Sequence, residues 1–326
     1  MKKNIEFTMP GIKEKMVGCY EGCSKRAVVI GVDTAMGFAL AHFLRKAGFG
    51  VIGLGEAEQS PCAGLVDYRK TDYTSFDIPV DCNRVLFCHD VASHTERHVP
   101  ALDALCRELA ATRQKNDEVH ICIFTPANAC ECGKQRVRED APLLPHSLRD
   151  LACANAEMTL HAWCMLTHTT ILPKIFRYGE LYADMPDEMP LAGHVCASLR
   201  KVRRHEALES PGFGMQKRSL THLADFAEMV AGLVKRDFLP TVVNIPGETF
   251  SILEYLIPLE DNPTGEMRMS KDCHDDDLPW GISDRVLSAA VFKGELKFAP
   301  KHKYKDWAAA LPKSAPKLKG FDITKA

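Results

Sequence analysis

What this 326-residue chain lacks narrows its possible functions at once. No stretch approaches the roughly 20 apolar residues of a membrane span, and no apolar run of a secretory signal follows Met1. The formal net charge of −2 provides no excess of basic charge for nucleic acid, and we interpret the Lys-rich stretch 301–319 as a solvated end. We therefore expect a soluble, cytoplasmic protein that binds neither a membrane nor a nucleic acid.

A paired-cysteine motif is also missing, although the chain has 13 cysteines. The closest pairs are Cys19/Cys23 and Cys130/Cys132, neither of which is a C-x-x-C, and no pair of histidines completes a zinc set. In a reducing compartment these residues are expected to be thiols. A metal enzyme that uses Cys130, Cys132 and a nearby histidine is kept as an alternative, but no metal is expected.

The chain does contain short apolar runs that alternate with amphipathic segments. Strands are predicted at 26–31, 50–55, 84–88, 119–124 and 169–172, and helices at 35–47, 98–112 and 148–166. This order predicts an α/β fold with a doubly wound parallel Rossmann sheet. We expect an N-terminal extension (1–25), a dinucleotide-binding domain (26–180) and a smaller substrate lobe (181–326) that is interleaved with the last sheet strands.

The turn between the first strand and the first helix carries two glycines, Gly31 and Gly37. In a βαβ unit this turn presents backbone N–H groups at a helix N-terminus, where the pyrophosphate of a dinucleotide binds. Gly31 would permit the tight turn, and Gly37 would let the helix approach the sheet. A plain strand-helix turn is the alternative interpretation.

Two segments resemble signature motifs of one family. Residues 30–37 resemble the T-G-G-x-G-F-I-G turn of extended short-chain dehydrogenases/reductases, with Thr34 in place of the middle glycine. Residues 212–227 resemble the family's G-x-G-x-x-x-R-D-F-V-H-V-x-D-V-A segment. The resemblance covers about 26–311 and implies the NAD-dependent epimerase/dehydratase family. It further implies a nucleotide sugar or another phosphate-bearing ligand held by Arg218, whose guanidinium fork suits a phosphate.

The resemblance also implies where a dinucleotide would bind. Glu56, after the second strand, stands near the position of the acid that contacts the adenosine ribose, which favours NAD. A glycine at that position, here Gly55, also occurs in proteins that bind NADP, so NADP is not excluded, although no arginine follows to hold a 2′-phosphate. His89 and Asp90 replace two small residues, so Asp90 would repel the pyrophosphate unless it points away or forms a pair. The implied cofactor-binding residues are Gly31, Thr34, Ala35, Met36, Gly37, Glu56, Asp67, Tyr68, Cys88, His89, Pro173 and Tyr178, of which Asp67 and Tyr68 match the adenine-binding segment.

The family's catalytic Tyr-x-x-x-Lys pair is absent from the whole chain. Aligning the family pattern on Ser147 and Glu157 places Arg149 at the tyrosine position and Cys153 at the lysine position. The hydroxyl position of the preceding strand end falls on Ala127, with Thr125 two residues earlier. Because arginine stays protonated, Arg149 cannot relay a proton, so the catalytic residues are unknown.

Two hypotheses follow. The chain is either a divergent NAD(P)-binding epimerase/dehydratase-like protein with altered chemistry, or a catalytically silent Rossmann protein that acts as a cofactor sensor, scaffold or subunit partner. His89, Asp90, Cys153 and Lys174 are candidate replacement proton carriers. Because family members often dimerise through two helices, here 98–112 and 148–166, a homodimer is expected through the face that contains Leu151, Ala154, Met158 and Trp163.

Overall fold

Most of the chain is described by a computed structural model, which covers residues 25–58, 62, 64–114, 117–131, 136–168, 170–211, 213–236, 238–260, 267–270 and 283–311. The strands are β1 (Arg26–Ile30), β2 (Gly50–Gly55), β3 (Asp67–Lys70), β4 (Cys82–Phe87), β5 (Val119–Pro126), β6 (Ile171–Tyr178), β7 (Glu180–Tyr182), β8 (Leu208–Pro211), β9 (Lys217–His222), β10 (Val242–Asn244), β11 (Glu248–Ser251) and β12 (Met267–Ser270). The helices are α1 (Ala35–Lys46), α2 (Thr95–Thr112), α3 (Leu148–Leu166), α4 (His194–Arg203), α5 (Leu223–Val234), α6 (Ile252–Glu260), α7 (Ala290–Glu295) and α8 (Tyr304–Ala309).

Seven parallel strands form the central sheet, in the order β10-β6-β5-β4-β1-β2-β3. The chain starts in the middle at β1, moves outwards to β3, and then returns past β1 through β4 to the opposite edge. This doubly wound topology confirms the predicted fold class. Two smaller sheets, β11-β9-β7 and β12-β8, lie outside it.

Helices cover both faces of the central sheet, as the buried runs of its strands require. In β1, Ala27 and Val29 face a core that contains Phe38 of α1 and Phe226 of α5. Val28 and Ile30, which point the other way, belong to a second core with residues of α2 and α3. The alternation of neighbouring side chains between the two cores is the period of two that a strand imposes.

The predicted strand 169–172 was placed too early, because β6 begins at Ile171 and continues to Tyr178. Two cations, Lys174 and Arg177, interrupt the apolar run of this strand. Both are buried: the ammonium of Lys174 donates to the carbonyl of Leu239 at 2.6 Å, and the guanidinium of Arg177 pairs with Glu157 of α3 at 2.9 Å. Partners distant in sequence therefore allow the charges in the strand.

The predicted helix 148–166 is confirmed as α3, and it begins with a side-chain cap. The hydroxyl of Ser147 accepts a hydrogen bond from the backbone N–H of Asp150 at 3.1 Å, which satisfies one of the free donors of the first turn. The cap fixes the start of α3 above the ends of β5 and β6, which α3 contacts. Among the described residues, no helix has the length and apolar character needed to cross a membrane.

Candidate functional site

The site is built around the turn that joins β1 to α1. Gly31 has a φ of +77°, and a β-carbon on it would lie 2.5 Å from the carbonyl oxygen of Cys88. A β-carbon on Gly37 would lie only 2.0 Å from the carbonyl oxygen of Gly31. Only glycine fits at either position: the left-handed backbone and the close approach both exclude a side chain at Gly31, and the close approach excludes one at Gly37. The two glycines thus hold α1 tightly against the ends of β1 and β4.

Thr34 caps α1 with its own side chain. Its hydroxyl accepts from the backbone N–H of Gly37 at 3.0 Å and donates to the carbonyl of Gly31 at 2.7 Å. The hydroxyl proton of Thr34 is therefore hydrogen-bonded within the turn. No described residue accepts from the backbone N–H groups of Ala35 and Met36, and both residues line the cleft above the turn. Free N–H groups at a helix N-terminus attract anions.

The cleft has a volume of about 270 Å³ and runs along the carboxyl ends of the sheet strands. It extends from Glu56, after β2, to Tyr178, the last residue of β6. The candidate residues from the sequence that line it are Thr34, Ala35, Met36, Glu56, Cys88, His89, Asp90, Arg149 and Tyr178. The other candidates do not line it: Gly31, Gly37, Asp67, Tyr68, Thr125, Ala127, Cys153, Pro173, Lys174 and Arg218.

An acid that the sequence reasoning did not single out occupies the end of β2. The carboxylate of Asp33 lies in the turn and accepts from the backbone N–H groups of Glu56 and Ala57 at 2.8 and 3.0 Å. Glu56 itself pairs with Arg97 at 2.7 Å, and the ring of His94 lies 3.7 Å from it. In the sequence, the glycine at the end of β2 could have indicated this acid, because the missing side chain of Gly55 leaves room for Asp33.

The adenine and nicotinamide candidates outside the cleft have partners within the protein. The phenol of Tyr68 donates to the carbonyl of Ala57 at 2.6 Å, and Asp67 pairs with Arg69 at 3.2 Å. Pro173 lies in the middle of β6, opposite Ile121 of β5, and is five residues from the end of the strand. The structure therefore places Pro173 below the cleft rather than beside it.

The loop after β4 contributes a cluster of histidines. His89 lies against the ring of Tyr73, and its Nδ1 is 3.3 Å from the Nδ1 of His98 in α2. Burial lowers the pKa of His89 to about 4 and that of His98 to about 3; nearby cationic groups add to the effect, and the carboxylate of Asp90 opposes it. Both rings are therefore neutral at pH 7. The carboxylate of Asp90 accepts from the backbone N–H of Ala92 and the hydroxyl of Ser93 within its own loop.

The two residues at the family's catalytic positions differ in their access to the cleft. Arg149 lines it, whereas Cys153, one helical turn later, is 1% exposed. Burial raises the pKa of the Cys153 thiol to about 12, although the charge of Arg149 acts in the opposite direction. Thr125 and Ala127 are also buried, at the end of β5 and in the short turn that follows it. None of these groups offers a proton that exchanges near pH 7.

Tyr178, the last residue of β6, lines the cleft near Arg149. It packs edge-to-face against Phe226 of α5, with ring centroids 5.6 Å apart. Burial raises the pKa of its phenol strongly, while the nearby charge of Arg149 favours ionisation more weakly. The effect of burial on the pKa is the larger one, so Tyr178 stays a neutral phenol.

The substrate candidate Arg218 lies in β9 and is buried. Its guanidinium donates to the carbonyls of Lys217 and Ser283 at 2.9 and 2.7 Å. In the same region Asp225 accepts from the ring of His302 at 2.9 Å, and this contact ties α5 to the segment before α8. Arg218 is therefore engaged with the backbone.

No group of three or more His, Cys, Asp or Glu side chains in the described ranges could hold a metal ion. Cys130 is buried, and burial raises its pKa to about 11. Its proposed companion Cys132 lies outside the described residues, as do Cys19 and Cys23.

Neither protein-family models nor curated proteins match the chain, but many solved structures share its fold. It is similar to UDP-glucuronic acid 4-epimerase from Bacillus cereus, solved with UDP-glucuronic acid and NAD, at 17% identity and a TM-score of 0.69 over 87% of this chain and 97% of that one. It is similar to dTDP-glucose 4,6-dehydratase from Bacillus anthracis, solved with NAD, at 14% identity and a TM-score of 0.67 over 87% and 94%. UDP-glucose 4-epimerase from Thermotoga maritima, solved with UDP-glucose, matches at 15% identity and a TM-score of 0.68 over 87% and 96%.

Proposed function

We propose that this chain binds NAD, together with a nucleotide-sugar-like ligand, in the cleft above the carboxyl ends of the sheet. The observation that carries the proposal is the start of α1, where the unpaired backbone N–H groups of Ala35 and Met36 line the cleft. Two N–H donors at a helix N-terminus suit a pyrophosphate. The shared fold with NAD-containing epimerases and dehydratases supports the same placement.

The acids at the β2 end of the cleft support NAD rather than NADP. Asp33 and Glu56 both line this end, and the only cation that pairs with Glu56 among the described residues is Arg97, apart from the neighbouring ring of His94. Carboxylates accept hydrogen bonds from ribose hydroxyls but repel a 2′-phosphate. Cys88, His89 and Tyr178 would then line the remainder of the dinucleotide. Bound NAD supplies a hydride acceptor.

The groups at or near the family's catalytic positions do not supply the proton chemistry that normally accompanies hydride transfer. Arg149 stays protonated, the thiol of Cys153 and the phenol of Tyr178 stay neutral, and His89 stays unprotonated. General acid–base catalysis needs a pKa near the working pH. We therefore propose a cofactor-dependent binding function, as in a sensor or a subunit partner, over 4-epimerisation or 4,6-dehydration.

We also propose that two copies of the chain pair through α3. Leu151, Met158 and Met165 lie seven residues apart on one side of the helix, and all three are exposed. Ala154, from the face expected at the outset, is buried, and Trp163 is partly buried and donates to Asp103 of α2 at 2.9 Å. An apolar stripe of this kind suits helix packing across a symmetric dimer.

The nine free cysteines of the described residues suit a reducing compartment such as the cytoplasm.

The test has two parts that use the intact chain. Titration with NADH, followed by its fluorescence, is expected to give saturable binding. The NAD-loaded protein incubated with UDP-glucose or UDP-glucuronic acid is expected to give no change in absorbance at the NADH band and no epimerised sugar by chromatography. Failure to bind NADH would overturn the cofactor proposal, whereas turnover of either sugar would overturn the silent function.

A further inference from the structure

An arginine lies at the β2 end of the cleft, where the adenosine of the proposed dinucleotide would bind. Arg97 belongs to the first turn of α2. Its Nη2 lies 2.7 Å from the carboxylate of Glu56 and donates to the backbone carbonyl of Asp72 at 2.8 Å. The guanidinium also lies over the ring of Tyr73, 5.9 Å from its centroid. One side chain therefore connects the segments that follow β2 and β3 to the start of α2.

The ring below the guanidinium is held in place by its own contacts. Tyr73 has a φ of +61°, in the left-handed region that residues other than glycine rarely adopt. Its backbone N–H donates to the hydroxyl of Thr71 at 3.0 Å, and its ring packs edge-to-face against His89, with centroids 4.9 Å apart. A buried residue keeps such a conformation only where its surroundings impose it. The same surroundings therefore fix the position of Arg97.

The carboxylate that neutralises Arg97 is also the one that borders the cleft. Glu56, Tyr73 and His94 line the cleft, whereas Arg97 does not, so the guanidinium lies behind them. The side chains of Arg97 and Glu56 are 38% and 36% exposed. An ion pair this exposed is weak, because water screens its charges. Exchanging the carboxylate of Glu56 for the anion of a ligand would therefore cost little.

The anion that fits this position is the 2′-phosphate of NADP. In dinucleotide-binding folds the acid near the end of the second strand contacts the 2′-hydroxyl of the adenosine ribose. Here the carboxylate of Asp33 lies at the end of β2, 2.8 Å from the backbone nitrogen of Glu56. A phosphate on the 2′-oxygen would carry more than one negative charge towards Glu56 and Arg97. The guanidinium fork of an arginine binds phosphate through charge-assisted hydrogen bonds.

We infer that Arg97 is a latent binding residue for a 2′-phosphate and that Glu56, by pairing with it, sets the choice of NAD over NADP. The inference rests on the proposed function and names the pair of residues that selects its cofactor. In the unmodified chain the carboxylate of Glu56 both neutralises the guanidinium and repels a phosphate. Removing it should therefore do more than end a repulsion, because it also makes the guanidinium available to the cofactor.

The experiment separates these two effects by removing each partner alone and both together. NADH and NADPH are titrated by fluorescence into the unmodified chain, Glu56→Ser, Arg97→Gln and Glu56→Ser/Arg97→Gln. Glu56→Ser should raise the affinity for NADPH relative to NADH at least about tenfold, as one charge-assisted hydrogen bond would. Most of this rise should be lost in Glu56→Ser/Arg97→Gln and partly kept in Glu56→Ser/Arg97→Lys, which retains the charge without the fork.

Glu58→Ser is the matched control. Its carboxylate is also paired, with Lys70, but the side chain is 82% exposed and does not line the cleft. This variant should leave the ratio of the two affinities unchanged. Because both cofactors are titrated into the same sample, a fraction of unfolded protein cancels in that ratio.

The absence of a rise in Glu56→Ser would overturn the inference. A rise that survives in full in Glu56→Ser/Arg97→Gln would also overturn it, because only a repulsion would then have been removed. If NADH binds to every variant at a constant ratio to NADPH, this inference fails and the proposed cofactor site stands. If the unmodified chain binds neither cofactor, the proposed function fails and the inference fails with it.

Discussion

A β-carbon placed on Gly55 would lie 2.6 Å from the carboxyl carbon of Asp33. Asp33 in the turn and Gly55 at the end of β2 therefore depend on each other, because the carboxylate of Asp33 occupies the space that a side chain at position 55 would need. Asp33 reaches across to the end of β2 and accepts from the backbone N–H groups of the next two residues, and the residue beneath it has no side chain. This arrangement places a carboxylate beside the adenosine end of the proposed dinucleotide site.

Removing this carboxylate should change the choice of cofactor. In Asp33→Ser the repulsion of a 2′-phosphate is reduced, so NADPH should gain about tenfold in affinity relative to NADH, as loss of about 1.4 kcal/mol of repulsion would give. Fluorescence titration with both cofactors measures the ratio. Asp77→Asn, which removes an acid whose side chain is 92% exposed, is the control. An unchanged ratio in Asp33→Ser would show that Glu56 alone selects the cofactor.

Placing an acidic side chain on β2 itself tests the same contact through the free energy of unfolding. Gly55→Asp should destabilise the protein by about 1–3 kcal/mol, because the new side chain overlaps Asp33 and adds a like charge. The double variant Asp33→Gly/Gly55→Asp should recover part of that loss, since the overlap is gone. Urea unfolding of the four proteins gives the coupling free energy. Additive effects would contradict the contact.

Gly37 should not tolerate even one methyl group. In Gly37→Ala the β-carbon overlaps the carbonyl of Gly31 at 2.0 Å, so the start of α1 must move away from the turn. We expect a loss of about 1–3 kcal/mol in stability and weaker NADH binding, measured by urea unfolding and by fluorescence. Gly294→Ala is the control, because nothing lies within 4 Å of its added β-carbon. Equal effects of the two substitutions would contradict the tight turn.

The histidine pair should make stability depend on pH. Both folded pKa values, about 4 for His89 and about 3 for His98, lie below the ordinary value of 6.5, so the unfolded chain binds protons first as the pH falls. The contribution is complete above pH 6.5 and is lost as the pH falls towards 4 and then 3. Each histidine should add a slope of about 1.4 kcal/mol per pH unit in this window.

Urea unfolding between pH 7 and pH 4 measures that slope. His98→Phe, which keeps a ring against Phe87, should reduce the slope by about half. His161→Gln removes an exposed histidine of α3 and should leave it unchanged. A slope that is the same in all three proteins would assign the acid sensitivity to other groups.

A charge in the apolar stripe of α3 should separate the proposed dimer. Met158 is 64% exposed at the middle of the stripe, and Met158→Glu would bury a carboxylate against a second copy of the helix. Sedimentation velocity should show a dimer for the unmodified chain and a monomer for this variant. Met215→Glu, at an exposed position away from α3, should remain dimeric. A monomeric unmodified chain would overturn the proposal.

Much of the fold could be predicted because its determinants are local. The β-branched run of β1, the glycines of the turn and the apolar stripe of α1 lie within about 20 residues of one another. Those residues specify a βαβ unit, from which a doubly wound sheet follows. The strand β6 was harder to predict, because Lys174 donates to a backbone carbonyl 65 residues away and Arg177 pairs with a carboxylate 20 residues away. No local pattern contains these partners.

For the candidate site, too, some features could be predicted from the sequence and others could not. The sequence by itself determined the glycine turn, the absence of a Tyr-x-x-x-Lys pair and the presence of Arg149 and Cys153 in its place, because these depend only on which residues occur and at what spacing. Only the tertiary structure decided that the carboxylate of Asp33 lies at the end of β2, that Cys153 is buried away from the cleft and that Arg149 lines the cleft. Burial and pairing arise from residues that meet only when the sheet and its helices assemble, and they set the charge of each group and hence its chemistry.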